Sequence, residues 1–206
     1  MYLIASILTP ESLIRSLGSL ALIGVIVIIF AECGLLIGFF LPGDSLLFVT
    51  GLLIAQGFIH TPLWLVCLLV SIAAVAGNIV GYWIGRKAGP AIFNRPDSRF
   101  FKQDYVDHAH AFFAKHGVRA IVLGRFVPIV RTFITVTAGI AKMTPRVYNS
   151  YSLIGGVLWA SGLTILGHQL GHVTVIKNNI EIFSIGIVIV SFIPVALELR
   201  RGRNKS

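Results

Sequence analysis

A chain of 206 residues that is 56% hydrophobic, with a mean hydropathy of +0.88, carries more apolar surface than a water-soluble core of that size can enclose. The composition excludes a soluble globular domain and points to an all-α polytopic membrane protein. A net charge of +9 does not make it a nucleic-acid binder, because the Lys and Arg residues flank apolar stretches; they read as topology determinants and contacts to anionic lipid.

Apolar stretches of roughly 18 residues or more read as membrane spans. In chain order they are Leu17–Leu41, Pro62–Gly85, Val147–Gly171 and Ile180–Leu199. The first is too long for a signal-peptide core and lacks a small-residue cleavage site, so no cleaved leader is expected. Among the eight acidic residues, Glu32 and Asp44 lie amid apolar sequence, while Glu181 and Glu198 stand at the two ends of the last stretch. Glu32 precedes Cys33, which argues against a lipoprotein cysteine. Cys33 and Cys67 both sit in apolar surroundings, so no disulfide is expected.

Next comes Gly38-Phe39-Phe40-Leu41-Pro42, followed by Gly43-Asp44. Along the second span, Gly77, Gly81 and Gly85 form one smooth helix face suited to close packing, and Asn78 beside them is a candidate interhelical donor. His60 is expected to cap an interfacial turn before Pro62. A polar linker follows over about 87–117. Within it Phe101, Tyr105, Ala109, Phe112 and Phe113 recur at helical spacing, as in a helix lying on the membrane interface or packed on its own membrane domain.

The second half opens with Gly124-Arg125-Phe126-Val127-Pro128 and continues through Arg131 to Ala138-Gly139. It repeats the G-x-F-x-P frame of the first half with arginines where the first has carboxylates. Sliding the sequence on itself by 86 residues aligns Gly38 with Gly124, Phe40 with Phe126, Pro42 with Pro128, Gly81 with Gly167 and Gly85 with Gly171. Matches at Gly and Pro matter most, since these residues fix backbone geometry. The expected organisation is a single membrane domain over 1–206: repeat 1 over about 17–86, the linker, repeat 2 over about 118–199 and a basic tail over 200–206.

Charge orders the topology. The linker and tail carry most of the Lys and Arg, which places both, and with them the two termini, in the cytoplasm. Counting crossings then makes the Pro42 and Pro128 segments re-entrant hairpins entering from opposite faces, so that the repeats are inverted; the alternative is that each is part of a kinked span. Irregular backbone at membrane depth requires burial in protein or a polar cavity.

The charged residues are the candidate site. On one straight helix Glu32 and Asp44 would stand about 18 Å apart; a break at Pro42-Gly43 can fold Asp44 back. Burial favours the protonated form of a carboxyl group, which suits such residues to carrying protons. Arg125 and Arg131 would be opposed on one helix, but Pro128 between them permits convergence. Arginine keeps its charge and grips phosphate bidentately, with Thr132, Thr135 and Thr137 adding hydroxyls. The same residues could instead form buried ion pairs that hold the hairpins together, although ionisable groups in a membrane usually mark function.

Two decoys are set aside. Gly43-Asp44-Ser45-Leu46 spells a hydrolase signature that Asp107 and His110 would complete, but that nucleophile belongs after a strand in a soluble α/β domain. His168 and His172 stand at i,i+4 with no third ligand in reach, so they read as a membrane–water boundary. No metal, no cofactor and no enzymatic activity are expected.

Taken together, Glu32, Pro42-Gly43-Asp44, Gly124-Arg125-Phe126-Val127-Pro128, Arg131 and Ala138-Gly139 resemble the DedA family (the VTT, or SNARE-associated, membrane domain). The resemblance extends over nearly the whole chain. Thr135 and Val136 stand where many relatives carry a second proline. The resemblance implies a plasma-membrane protein with two facing re-entrant hairpins, and members look like lipid translocases, including recyclers of undecaprenyl phosphate, and like proton-dependent factors of membrane homeostasis. By position, Arg125 and Arg131 would be the basic pair that binds a substrate phosphate, and Glu32 and Asp44 the proton-coupling pair. Gly38, Pro42, Gly43, Gly124, Pro128 and Gly139 would shape the hairpins. The expected partners are membrane lipids, undecaprenyl phosphate or phospholipid, and protons, with a homodimer left open. Rival readings are a general phospholipid scramblase, a proton or ion antiporter and a purely structural membrane organiser.

Overall fold

The computed structural model describes residues 19–35, 43–93, 117–126 and 128–173. Gly38, Pro42, most of the 87–117 linker, the expected span Ile180–Leu199 and the basic tail lie outside them. All regular structure among the described residues is helical: α1 (Ser19–Gly34), α2 (Gly43–Ala55), α3 (Leu63–Phe93), α4 (Arg119–Leu123), a 3-10 turn (Gly124–Phe126), α5 (Pro128–Ile140) and α6 (Pro145–Gly171).

Helix length sorts these elements. With 31 and 27 residues, α3 and α6 extend about 46 and 40 Å, more than the roughly 30 Å hydrocarbon core of a bilayer. The 13 residues each of α2 and α5 extend only about 20 Å and cannot cross alone. Only 39% of the most apolar window of α3 and of α6 is buried. Their outward residues include Trp64, Leu68 and Ile72 on α3 and Leu153, Val157, Leu158 and Leu166 on α6. A soluble core helix would bury such side chains, whereas a lipid-facing helix leaves them outward. The second and third expected spans are thus present as helices. The first, Leu17–Leu41, is represented by the 16 residues of α1, with 36–42 outside the described residues.

Proline sets the helix starts. Pro128 and Pro145 are the first residues of α5 and α6, a position where the missing N–H is not needed. Pro62 precedes α3 and accepts the Val66 N–H at 3.2 Å. At their far ends α2 and α5 close in the same way. The Phe58 N–H bonds the Leu53 carbonyl at 3.0 Å around Gly57, whose φ is +75°. The Met143 N–H bonds the Ala138 carbonyl at 3.1 Å around Lys142, whose φ is +50°. The two helices are displaced by 85 residues at both ends (43 to 128, 55 to 140), within one residue of the shift found in the sequence.

The chain forms two compact units, each drawn from both halves. The first contains residues 1–28, 40–70 and 160–206. In it α2 lies directly on the C-terminal half of α6. A Cβ at Gly51 would collide with the Thr164 carbonyl, and one at Gly167 with the Phe48 carbonyl. Gln56 Nε2 donates to the Gly171 carbonyl at 2.7 Å, and Leu47, Leu52, Leu53 and Val66 of the same unit are buried.

The second unit contains residues 29–39 and 71–159. Here α5 lies on α3 by the corresponding device: Gly85 admits the Val136 carbonyl and Gly139 admits the Tyr82 carbonyl. The last turn of α1 packs on α3 at Gly77, where an added Cβ would come within 2.5 Å of the Phe30 carbonyl oxygen. The glycine face expected on the second span is therefore a contact face. Tyr82, Ala120, Ile121, Ile134, Ala138 and Tyr148 make the core of this unit, and the rings of Tyr82 and Tyr148 stack at 4.5 Å.

Candidate functional site

The site forms where α4 breaks. After Leu123 the helix tightens into the 3-10 turn Gly124–Phe126 and restarts at Pro128. A 3-10 turn followed by a helix that proline opens abandons the 100° step per residue of a continuous helix. Arg125 on the turn and Arg131 in α5 can then point into one core. Both are buried, at 1% and 6% exposure, in the second unit.

Glu32, 2% exposed in the last turn of α1, is the ion-pair partner of Arg131. A carboxylate near a helix C-terminus opposes the helix dipole, so Arg131 offsets a cost as well as a charge. The Arg131 guanidinium carbon also lies 4.2 Å from the centre of the Trp159 ring, a cation–π contact in a dry setting. Breaking a buried pair of this kind by removing one partner typically costs about 3–5 kcal/mol.

Arg125 is held differently. Its Nη2 donates to Ser152 Oγ at 2.8 Å, while Nε and Nη1 have no hydrogen-bond partner among the described residues. Gly155 makes room for its stem, since a Cβ there would come within 2.7 Å of Arg125 Cδ. Tyr148 borders the same guanidinium. Its hydroxyl donates to the Asn78 carbonyl at 3.2 Å. Among the described residues Arg125 has no carboxylate partner.

One face of α6 organises this cluster. Tyr148, Ser152, Gly155, Gly156 and Trp159 fall at i, i+4, i+7, i+8 and i+11, the spacing of a single helical stripe. Sequence reading missed Tyr148, Ser152 and Trp159. The signal was present as a polar and aromatic stripe flanking a glycine pair in a span, but its meaning depends on Arg125 and Arg131 reaching that stripe.

The other candidates are placed as follows. Asp44 lies in the first unit, half-buried in the first turn of α2, where the positive helix end suits a carboxylate. Gly43 opens that helix and Gly124 opens the 3-10 turn. Thr135 is buried and its hydroxyl donates to its own helix at the Arg131 carbonyl, at 3.5 Å. Thr137 is half-buried, and the Thr132 side chain lies outside the described part. Asn78 departs from expectation: its side-chain nitrogen has no hydrogen-bond partner among the described residues, so it is not the interhelical donor anticipated there. Ser45 is buried in the first turn of α2; Asp107 and His110 lie outside the described residues. His168 and His172 meet edge to face at 4.8 Å, and no group of three metal-ligating side chains occurs among the described residues. Neither Cys33 nor Cys67 is in a disulfide.

Charge is unevenly divided. Among the described residues all seven Lys and Arg (Arg86, Lys87, Arg119, Arg125, Arg131, Lys142, Arg146) belong to the second unit, against one acid, Glu32. Of the seven, Arg125 and Arg131 are buried, and buried guanidiniums in so cationic a unit suit an anionic ligand.

Comparison with known proteins bears on what that ligand could be. The VTT domain family matches residues 41–169. An uncharacterized membrane protein of Mycobacterium leprae is 45% identical over 177 residues, covering 86% of this chain and 78% of its own. Protein DedA of Escherichia coli K12 is 40% identical over 176 residues, covering 85% and 80%. The inner membrane protein YqjA of the same strain is 38% identical over 149 residues, covering 72% and 67%. No solved structure matches.

Proposed function

Because the chain belongs to the DedA family of VTT-domain membrane proteins, we propose that it carries a phosphorylated lipid, undecaprenyl phosphate or a close relative, across the plasma membrane together with protons. The observation that carries this reading is Arg125. Arginine does not lose its proton in proteins, so a guanidinium buried with two donor nitrogens unmatched among the described residues suits an anion supplied from outside. A phosphate monoester offers the oxygens that a planar guanidinium fork can engage bidentately.

In the proposed cycle the lipid phosphate engages Arg125 and competes with Glu32 for Arg131. Glu32, once displaced, loses the guanidinium that favours its charged form and takes up a proton. Departure of the phosphate restores the ion pair and releases that proton, which couples lipid to proton movement at one arginine. Asp44 is a second proton carrier in this scheme. The Pro42 and Pro128 segments act as re-entrant hairpins from opposite faces, with both termini cytoplasmic. The lipid moves from the outer to the inner leaflet as the repeats alternate access. Support for that orientation is the clustering of Arg86, Lys87, Lys142 and Arg146 at the end of α3 and the start of α6, as expected for a cytoplasmic face.

Reconstitution tests the reading. Wild-type protein in proteoliposomes should move undecaprenyl phosphate between leaflets, and Arg131→Ala should reduce the rate at least tenfold; an undiminished rate in that variant contradicts the mechanism. An excess of ordinary phospholipid that abolishes the movement would favour a general scramblase instead.

A further inference from the structure

Asn78 and Arg125 come from different elements, yet each presents unmatched donors to the same helix. The Asn78 Nδ2 has no hydrogen-bond partner among the described residues, and its residue is 1% exposed; Arg125 Nε and Nη1 are in the same condition. Burying an amide without a partner costs about 1–3 kcal/mol, so such a group calls for a cause. On α6 the two residues meet consecutive glycines. A Cβ at Gly155 would come within 2.7 Å of Arg125 Cδ, and one at Gly156 would lie 3.4 Å from Asn78 Nδ2. Tyr148 joins them, since its hydroxyl bonds the Asn78 carbonyl and its side chain borders Arg125.

The geometry points to Asn78 as a third donor to the phosphate, a specificity-determining residue that completes, with Arg125, a notch opened in α6 by Gly155-Gly156. This rests on the reading of Arg125 as a phosphate-binding residue and adds to it a neutral donor on α3. The chemistry recognised is the phosphate group itself, whether on a lipid or free. A phosphate monoester has more acceptor sites than one guanidinium can fill, so an amide N–H beside the arginine adds a bond without adding charge. Apolar alcohols of the same chain length offer no such acceptors and leave both donors unmatched.

Ligand-induced thermal stabilisation in detergent separates the possibilities, because a ligand that binds only the folded state raises its melting temperature with concentration. The probes are farnesyl phosphate, inorganic phosphate and farnesol; the proteins are wild type, Arg125→Gln, Asn78→Leu and Asn78→Asp. Farnesyl phosphate should stabilise wild type, farnesol should not, and Arg125→Gln should abolish the response. Asn78→Leu should need at least tenfold more farnesyl phosphate for the same shift, with a ligand-free melting temperature equal to or above that of wild type. Asn78→Asp should raise the ligand-free melting temperature by pairing with Arg125, and should remove the phosphate response. Equal stabilisation by inorganic phosphate would make the free ion the ligand; a weaker response assigns the isoprenoid chain a share. A normal farnesyl phosphate response in Asn78→Leu, or a lower ligand-free melting temperature in it, overturns the role of Asn78 while leaving Arg125 standing. Absence of any phosphate response in wild type overturns the reading of Arg125 and this inference with it.

Discussion

Lys142 shows how one residue can matter through its backbone alone. It occupies the left-handed position that ends α5, with φ +50°, where Gly57 does the same for α2 at φ +75°. A side chain in that conformation costs roughly 1 kcal/mol relative to glycine, which has no Cβ to clash with the following carbonyl. Lys142→Gly is therefore expected to stabilise the protein by about 1 kcal/mol, or slightly less if the unfolded chain gains freedom. The reverse change, Gly57→Lys, should destabilise by a similar amount. Denaturant unfolding in detergent checks both. At the same scale, the sequence alone located Glu32, Arg125 and Arg131, because charge inside apolar stretches is visible without a structure. It allowed buried ion pairs among them without saying which acid meets which base. Arg131 meets Glu32 across 99 residues of chain, and only the helix break before Pro128 and the packing of α1 on α3 bring them together. Asn78 was legible as a polar residue on a glycine-rich face, but whether its amide finds an acceptor is a property of the packed core.

The elements divide into long apolar helices and short ones held against them by glycine. Gly85 and Gly139 bring α5 onto α3, and Gly51 and Gly167 bring α2 onto α6, each by admitting a backbone carbonyl where a side chain would stand. Membrane helices associate through packing more than through the hydrophobic effect, so these contacts are strong determinants of the fold. Gly85→Leu and Gly167→Leu should each lower the melting temperature by 5 °C or more, on the order of 1–3 kcal/mol for overpacking. Gly162→Ala, where an added Cβ meets nothing within 4 Å, should be neutral or stabilising by up to about 1 kcal/mol through helix propensity. Thermal unfolding of the four proteins in one detergent decides; equal losses at Gly85 and Gly162 would remove the special role of the contacts. The spans over α3 and α6 were legible as long apolar runs bounded by proline and charge. The 3-10 turn at Gly124–Phe126 was legible only as a break, since Gly and Pro mark where a helix yields and not what replaces it.

For the molecule as a whole, the described cations are concentrated in one unit, and two of them, Arg125 and Arg131, are buried. The described residues place seven basic side chains in one unit with a single carboxylate, and none in the other. Within that unit Arg131 has Glu32 and Trp159, while Arg125 relies on Ser152 and keeps two donors for something else. Overall composition gave the membrane class, and the sequence self-match at 86 residues lies one residue from the 85-residue spacing of α2 and α5. The division into units that mix both halves of the chain could not be read in advance, because it depends on which short helix packs on which long one. The central claim is that Arg125 holds the phosphate of a lipid, and native mass spectrometry of protein released from its own membrane tests it most directly. Wild type should retain a phosphorylated isoprenoid lipid in a one-to-one complex, and Arg125→Gln, folded to the same melting temperature within a few degrees, should lose it. Equal occupancy in the two proteins, or a bound lipid without phosphate, would contradict the account.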